Sequence, residues 1–303
     1  MPRIALVTAR AARELDEDLA PLANALRALD AHIDIVAWDD DAADWSRFDI
    51  VVLRSTWDYT QRLPEFLDWA QRVATQTRLL NPLEVVRWNT DKHYLGVLAQ
   101  AGVAVVPSVF VEPADPAPAV LEAFLVSPAM TATAAGEFVV KPCIGAGSRD
   151  AQRYAREERD SAHTHVARLL AAGRSVLLQP YLDRVDTHGE TALVYFDGAF
   201  SHAIRKGPLL KRGEGPTRAL FAAEAITPRT PTAHERAFAE RALAAIPFAQ
   251  PLAYARADLI QDHAGLPCLL ELELTEPSLF FDHAADSATR FARVLLARAR
   301  PSC

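Results

Sequence analysis

The sequence predicts an α/β fold built from more than one domain. Apolar strand-like runs alternate with helical patterns in the N-terminal part of the chain, which is typical of βαβ units around a parallel sheet. Near the C-terminus, two segments with alternating apolar and polar residues flank a turn, which predicts an antiparallel hairpin. The chain has 303 residues, more than one typical domain, and 23% of them are charged.

The first domain is predicted to span residues 1–88 and to contain the parallel sheet. Its predicted strands and helices are Arg3 to Thr8, Asp18 to Leu29, His32 to Ala37, Asp49 to Leu53 and Leu63 to about Thr77. The helices are recognised by apolar residues at helical spacing and the strands by short apolar runs. The pair Asn81-Pro82 then interrupts the pattern.

A polar and aromatic segment follows the third predicted strand. It reads Arg54, Ser55, Thr56, Trp57, Asp58, Tyr59. Ligands of open α/β sheets bind beyond the carboxyl ends of strands, so this segment could grip a small zwitterionic substrate. A local ion pair between Arg54 and Asp58, with Trp57 as a packing residue, is an equally good interpretation.

A second domain is predicted over residues 89–182. A helix opens near Asn89 to Lys92 and ends at Gly102, followed by an extended stretch from Val103 to Val111 and a proline-rich loop from Glu112 to Pro118. The remaining predicted elements are a strand ending at Lys141, a strand from Ala151 to Ala155, a helix from Asp160 to Ala172 and a strand from Ser175 to Gln179.

A glycine-rich loop follows the strand that ends at Lys141. It contains Gly145, Gly147 and Ser148. Glycines let backbone N–H groups wrap phosphate oxygens, and a lysine at the strand end adds a positive charge. The loop is neither GxGxxG, because Asp150 replaces the last glycine, nor a Walker loop. By itself, a hairpin turn of small residues is the simpler interpretation.

A proline-containing crossover links the second domain to the third, which is predicted over residues 183–303. The crossover comprises Gln179, Pro180, Tyr181 and Leu182. Backbone groups and an amide could read an adenine edge there, while aliphatic side chains sandwich the base. An ordinary linker is the alternative.

The third domain is predicted to begin with a pair of strands. Glu190 precedes the strand Thr191 to Phe196, and the return strand from Phe200 to Ile204 leads into Arg205 and Lys206. The basic segment from Leu209 to Arg218 suits a mobile flap over a triphosphate, although a solvated charge run is the default interpretation. Helices follow from Thr232 to Ala245 and from Ala284 to Arg300.

The hairpin near the C-terminus carries the acidic residues. Its strands are Tyr254 to Ile260 and Cys268 to Leu274, and an even-length loop places Asp258 opposite Glu271 and Arg256 opposite Glu273. Facing carboxylates repel unless a cation lies between them, and hard oxygen ligands suit Mg²⁺. A charged face turned towards water is the simpler alternative.

Composition limits the classes of partner. A net charge of −7 argues against a general nucleic-acid binder, which needs a basic face. The three cysteines Cys143, Cys268 and Cys303 are widely spaced, which favours a reduced, cytoplasmic setting without structural zinc. Since the N-terminus lacks a signal-like apolar core and no long apolar run exists, we expect no membrane partner. A homo-oligomer remains open.

The order of these motifs resembles that of the ATP-grasp ligases, in the branch that includes glutathione synthetase, over roughly residues 89 to 282. The resemblance implies two α+β lobes that clasp ATP, preceded by an N-terminal parallel-sheet substrate domain. It assigns Lys92, Lys141 and the glycine loop to phosphate, the crossover to adenine, Glu190 to the nucleotide, Arg256 to phosphate, and Asp258, Glu271 and Glu273 to Mg²⁺. Glu273 departs from the family, which usually has asparagine there.

Three segments look closest to the cyclo-ligases that form cycloserine from O-ureido-serine: Arg54 to Tyr59, Ser201 to Lys206 and Glu271 to Ser278. The resemblance implies a ligase that activates the carboxylate of an amino-acid-like substrate as an acyl phosphate for attack by a nitrogen. Arg205 and Lys206 would assist Arg256 in catalysis or hold the carboxylate, and Ser278 would contact the substrate. A non-catalytic ATP-binding module and a small-molecule kinase are the alternatives.

Overall fold

A computed structural model of the protein describes residues 1–133, 136–213, 215 and 225–300. Three sheets organise these residues, two of four strands and one of five. Cys303, together with residues 214 and 216–218 of the predicted basic segment, lies outside the described residues. Within the described ranges, no helix is both long enough and apolar enough to cross a membrane.

The N-terminal domain is built on a parallel sheet, as predicted. Its elements are β1 (Arg3–Thr8), α1 (Leu19–Ala28), β2 (His32–Ala37), β3 (Ile50–Ser55), α2 (Leu63–Gln76) and β4 (Arg78–Leu80). The strand order is β2-β1-β3-β4, and every pairing is parallel. Alternate residues of β1 and β3 pack against α1 on one face and α2 on the other, so both faces are buried. β4 was not predicted, because three residues carry no periodicity.

Two short helices, α3 (Leu83–Asn89) and α4 (Tyr94–Gln100), connect this domain to the rest. Only α4 was predicted. Val85 of α3 and Tyr94, Leu95 and Leu98 of α4 pack into the core of the five-stranded sheet. The connecting helices therefore share a core with residues that lie more than a hundred positions later in the chain.

The small lobe contains an antiparallel sheet in the order β5-β8-β6-β7. Its elements are β5 (Val109–Val111), α5 (Ala117–Leu125), α6 (Pro128–Thr131), β6 (Phe138–Pro142), β7 (Gln152–Tyr154), α7 (Arg159–Ala171) and β8 (Val176–Pro180). The predicted loop from Glu112 to Pro118 is wrong at its end, because Pro118 lies in the first turn of α5. Proline is tolerated there since its missing N–H would have no helical partner. The extended stretch from Val103 forms a strand only at Val109–Val111.

The large lobe contains an antiparallel sheet in the order β11-β10-β9-β12-β13. Its elements are α8 (Val185–His188), β9 (Glu190–Phe196), β10 (Ala199–Lys206), β11 (Ile226–Arg229), α9 (Ala233–Ala244), β12 (Tyr254–Gln261), β13 (Pro267–Glu273) and α10 (Ser287–Ala299). Thr232 and Glu235 cap α9 reciprocally. α10 packs against α1 and the parallel sheet, which fixes the N-terminal domain to this lobe.

The β12–β13 hairpin has the predicted register at its charged residues. Arg256 lies opposite Glu273 and Asp258 opposite Glu271. Nearer the turn, however, Leu259 pairs with Leu269, so Leu270 is an extra residue that forms a bulge. Without that bulge the pairing would slip by one residue and the acids would point to the opposite face.

Two buried asparagines fasten the linker between the domains to the hairpin. The Asn81 amide donates to the carbonyls of Tyr254 (2.9 Å) and Leu274 (2.8 Å) and accepts from the Ala253 N–H (2.8 Å). The Asn89 amide donates to the Leu272 carbonyl at 2.7 Å. These bonds satisfy backbone groups at the ends of β12 and β13, where no neighbouring strand is available.

Asn81→Ala should lower the free energy of unfolding by on the order of 3 kcal/mol, because buried backbone groups lose their partners. Urea denaturation of the variant and the wild type measures this difference. Asn24→Ala, at an exposed helical position, is the control and should change stability little. Equal stability of Asn81→Ala and the wild type would contradict a fastening role for Asn81.

Candidate active site

A cleft of about 210 Å³ lies between the small and large lobes, and most of the predicted site residues line it. These are Lys92, Lys141, Gly145, Gly147, Ser148, Gln179, Pro180, Tyr181, Leu182, Glu190, Lys206, Arg256, Glu271, Glu273 and Ser278. Asp258 contributes through Arg256 and Lys206, and is only 1% exposed. Residues distant in sequence therefore meet in one place.

The glycine turn after β6 forms the small-lobe side of the cleft. Gly147 adopts a left-handed backbone with φ of 59°, which glycine accepts without strain. The far end of the turn is anchored because Asp150 binds Arg174 at 2.6 Å and Arg168 at 3.0 Å. Lys141 lies at the start of this turn, and burial lowers its pKa to about 8 in spite of the attraction of Glu271.

Lys92 joins the glycine turn to the acidic strand. Its ammonium group donates to the Gly145 carbonyl at 2.8 Å and forms an ion pair with Glu271 at 2.8 Å. Burial opposes the charge on both groups, but Glu271 raises the pKa of Lys92 and Lys92 in turn lowers the pKa of Glu271. Lys92 therefore remains a cation at the centre of the cleft.

The crossover after β8 forms a slot at one end of the cleft. The Gln179 side chain donates to the Ser108 hydroxyl at 2.9 Å, which fixes it in place. The Tyr181 ring lies 3.5 Å beneath the Arg153 guanidinium, and its hydroxyl donates to Asp186. Aliphatic side chains line the same cleft, namely Val106, Val139, Leu182, Val185, Ile260 and Leu270. A flat aromatic base suits such a slot.

A chain of alternating charges runs across the large-lobe strands. Arg256 donates to both oxygens of Asp258, at 2.8 and 2.7 Å, and also to Glu273. Lys206 lies 2.7 Å from Asp258 and 2.5 Å from Glu190. Although burial disfavours the Asp258 carboxylate, the two cations hold its pKa below the usual range. Asp258 is thus kept charged within the protein.

The carboxylates are compatible with a magnesium ion. Glu271 and Glu273 keep about a quarter of their side chains exposed to the cleft, at 26% and 28%. Burial and the neighbouring Asp258 and Glu271 raise the pKa of Glu273 to about 7 in spite of Arg256, so negative charge is in excess. A divalent cation with oxygen ligands would relieve this excess.

A second group of possible metal ligands includes the two sequence neighbours of Lys92. Asp91, His93 and Cys143 each bring one ligand atom within 4.8 Å of the others. The His93 ring is held between Asp91 at 2.6 Å and Glu112 at 2.9 Å, and these acids raise its pKa although burial opposes the charge. A protonated ring in this position is already satisfied by its two carboxylates.

Arg205 does not line the cleft, contrary to the prediction. Its guanidinium donates to the carbonyls of His188 (2.8 Å) and Thr187 (3.1 Å). Successive residues of a strand point to opposite faces, so only one of Arg205 and Lys206 can reach the cleft, and Lys206 does. The prediction treated the basic pair as a unit and overlooked this alternation.

The polar residues after β3 also lie away from the cleft. Arg54, which is 1% exposed, donates to the Pro277 carbonyl at 3.0 Å, and the Ser55 hydroxyl bonds Thr8 at 2.7 Å. Thr56 is fully buried, and Asp58 accepts from the Trp38 indole at 2.8 Å. Arg54 and Ser55 belong to β3 itself, which is covered on both faces. The substrate role predicted for these four residues is therefore corrected to a structural one.

Three other side chains line the cleft on the side of the N-terminal domain: Trp57, Tyr59 and Glu276. The two aromatics belong to the predicted substrate segment, but Glu276 was not assigned to the site. Glu276 lies beyond the end of β13. The two-residue alternation that places Glu271 and Glu273 on one face therefore does not predict where the Glu276 side chain points. Burial and the nearby Glu273 raise the pKa of Glu276 to about 8.

The raised pKa of Glu276 gives a stability prediction. The folded protein holds a proton on Glu276 between the ordinary pKa and about 8, so Glu276 makes the folded state less stable as pH rises through this range. Relative to the wild type, Glu276→Gln should therefore gain stability from pH 5 to pH 7, by up to about 1.4 kcal/mol per pH unit. Urea denaturation of the ligand-free proteins measures the difference.

The control for this measurement is Glu14→Gln, which removes an exposed carboxylate. Its stability difference from the wild type should stay nearly constant over the same pH range. A constant difference for Glu276→Gln as well would contradict the raised pKa.

Comparison with known proteins identifies the family. Residues 4–81 match the family model described as D-cycloserine synthetase DcsG, N-terminal domain. The chain is 43% identical over 303 residues to the cycloserine biosynthesis protein DcsG of Streptomyces lavendulae, covering 98% of this chain and 99% of that protein. Such identity over nearly the full length shows common membership of one family.

Solved structures agree with this assignment. The crystal structure of D-cycloserine synthetase DcsG is similar with a TM-score of 0.91 and 42% identity, covering 98% of this chain and 100% of that one. The ATP-grasp ligase PsnB, in complex with a minimal precursor, Mg and ADP, shares the fold, with a TM-score of 0.61, 17% identity and 98% coverage of both chains. The predicted ATP-grasp fold is confirmed, and this chain belongs to the DcsG family of ATP-grasp ligases.

Proposed function

We propose that this protein uses ATP and Mg²⁺ to close the ring of O-ureido-serine, forming cycloserine. The observation that carries the proposal is one cleft lined by three lysines, a glycine turn, the crossover of residues 179–182 and paired acidic residues. Phosphoryl transfer needs such positioning and charge neutralisation more than covalent help from the protein. The similarity to DcsG over almost the whole chain supports the choice of reaction.

The proposed chemistry begins at the substrate carboxylate. One of its oxygens attacks the γ-phosphorus of ATP, the bond from that phosphorus to the bridging oxygen breaks, and ADP leaves with the electron pair. The nitrogen bonded to the side-chain oxygen then attacks the acyl carbon. Phosphate leaves with its electron pair, and the nitrogen loses its proton. Water removes the carbamoyl group from that nitrogen as carbamic acid, which leaves cycloserine.

The protein's part is to hold the charged groups. Lys92 and Lys141 would bind phosphate oxygens, together with backbone N–H groups of the glycine turn. Arg256 would stabilise charge on the transferred phosphoryl group or on the acyl phosphate, and Lys206, which forms ion pairs with Asp258 and Glu190, would lie beside it.

The remaining cleft residues divide between the base and the metal. The slot formed by residues 179–182 would take the adenine. Glu271 and Glu273, which are exposed to the cleft, would hold Mg²⁺, which when bound neutralises the β- and γ-phosphates. Asp258, which was predicted as a third ligand, is buried and paired with Arg256 and Lys206, so it would orient these two cations. Ser278, at the cleft wall beside Glu276, would face the substrate.

The function is tested by incubating the protein with O-ureido-serine, ATP and Mg²⁺. Cycloserine, ADP and phosphate should accumulate in equal amounts, as measured by chromatography and mass spectrometry. A stable phosphorylated substrate without free phosphate would instead identify a kinase. ATP binding without ADP formation, across a panel of amino acids, would identify a non-catalytic module.

Glu271→Gln should reduce turnover by about a hundredfold or more, because the site loses a charge that stabilises the transition state. ADP release measures this effect, and Glu14→Gln serves as the matched control with unchanged turnover. Near-normal turnover of a folded Glu271→Gln variant would remove Glu271 from the mechanism.

A further inference from the structure

On the side of the cleft next to the N-terminal domain, the acidic residue Glu276 is held against the aromatic rings of Trp57 and Tyr59. The Trp57 indole donates to the Glu276 carbonyl at 3.2 Å, and the Tyr59 hydroxyl is hydrogen-bonded to the Glu276 carboxyl. Trp57 and Tyr59 are 7% and 3% exposed, so neither ring is free to move away. Both the main chain and the side chain of Glu276 are therefore held in position at the cleft wall.

Glu276 differs from the other acids of the cleft in its charge partners. Asp258 and Glu273 pair with Arg256, and Glu271 pairs with Lys92. In the part of the chain that the structure describes, Glu276 forms no ion pair, and its carboxylate is stabilised by a hydrogen bond from the neutral Tyr59 hydroxyl. A carboxyl removed from water without a counter-ion strongly favours a cation supplied by a ligand.

The surroundings favour an organic ammonium group over a metal ion. Mg²⁺ demands several hard oxygen ligands and retains water, whereas Trp57, Tyr59 and Phe280 present aromatic surface beside Glu276. Ammonium groups bind well between a carboxylate and aromatic faces. The acids Glu271 and Glu273, which suit a metal, lie on the adjoining strand β13.

Glu276 lines the same cleft as the phosphate-binding groups Lys92 and Arg256. Lys92 is close enough for its charge to lower the pKa of Glu276, and Glu273 is close enough to raise it. An α-amino acid carries its ammonium and carboxylate on one carbon. A substrate whose ammonium meets Glu276 would thus present its carboxylate towards Lys92 and Arg256, where phosphorylation is proposed.

We infer that Glu276, oriented by Tyr59, forms the subsite that binds the α-ammonium group of the substrate. This inference rests on the proposed function, since it assigns one end of the same substrate. It makes Glu276 a specificity residue, because ligands without an α-amino group would leave its carboxyl without a counter-ion in the cleft.

The inference is tested by a thermodynamic cycle that changes the protein and the ligand together. Calorimetry in the presence of Mg²⁺ and ADP measures the affinity for O-ureido-serine and for its analogue that lacks the α-amino group. The wild type should prefer the amino ligand by on the order of 10- to 100-fold. Glu276→Gln should lose most of this preference and bind the two ligands alike.

Tyr59→Phe keeps the ring but removes the hydroxyl that orients Glu276, so its preference for the amino ligand should be intermediate. Glu14→Gln should retain the full wild-type preference. The affinity for ADP with Mg²⁺ should be unchanged in the Glu276 and Tyr59 variants, which shows that the nucleotide site is intact. Loss of Mg²⁺-dependent ADP binding in Glu276→Gln would instead make Glu276 a metal ligand and overturn the inference.

Two other results would overturn it. One is wild-type protein that does not distinguish the two ligands, and the other is a Glu276→Gln variant that still does. Because the readout is binding, these results are separate from the assay for cycloserine. Wild-type protein that prefers the amino ligand but forms no cycloserine would contradict the proposed reaction and leave the subsite in place.

Discussion

The ion network around Asp258 is the constraint on which the cleft depends. Asp258 is almost fully buried, with Arg256 on one side and Lys206 on the other. Removing either partner of such a buried pair typically costs about 3–5 kcal/mol, because the remaining charge has no water to solvate it. Each cation reaches a further acid at the cleft surface, Glu273 and Glu190 respectively. The network therefore fixes both the depth and the spacing of the acids at the cleft surface.

The domains are attached through the same strands that carry the site. Asn81 and Asn89 bond the backbone at the ends of β12 and β13, while Asp18 accepts the N–H groups of Leu279 (2.5 Å) and Phe281 (2.9 Å). Arg54 adds a bond to the Pro277 carbonyl. The segment after β13, which contains Glu276, is therefore held by side chains of the N-terminal domain. Its position depends on contacts between residues more than two hundred positions apart.

This attachment explains why the N-terminal domain contributes aromatics, and not charges, to the cleft. Arg54, at the end of β3, is buried and donates to the Pro277 carbonyl of the adjoining segment, while Asp58 accepts from the Trp38 indole. Trp57 and Tyr59 continue past the strand and reach the cleft wall. Under the proposed function, recognition of the reacting carboxylate would fall to the large lobe, and recognition of the rest of the substrate would fall to the boundary between the domains.

Periodicity and turn chemistry in the sequence determined the parallel sheet, the hairpin with its facing acids, the glycine turn after Lys141 and the crossover at Gln179, because local alternation and strand breakers encode them. The short elements β4, α3, α5 and β11 escaped prediction, since so few residues carry no clear period. The bulge at Leu270, the outward direction of Arg205 and the burial of Arg54 were decided by tertiary structure. The position of Glu276 was also decided by tertiary structure. Its direction depends on the path of the chain after β13 and on the contact with Tyr59, and residue spacing in the sequence does not predict that contact.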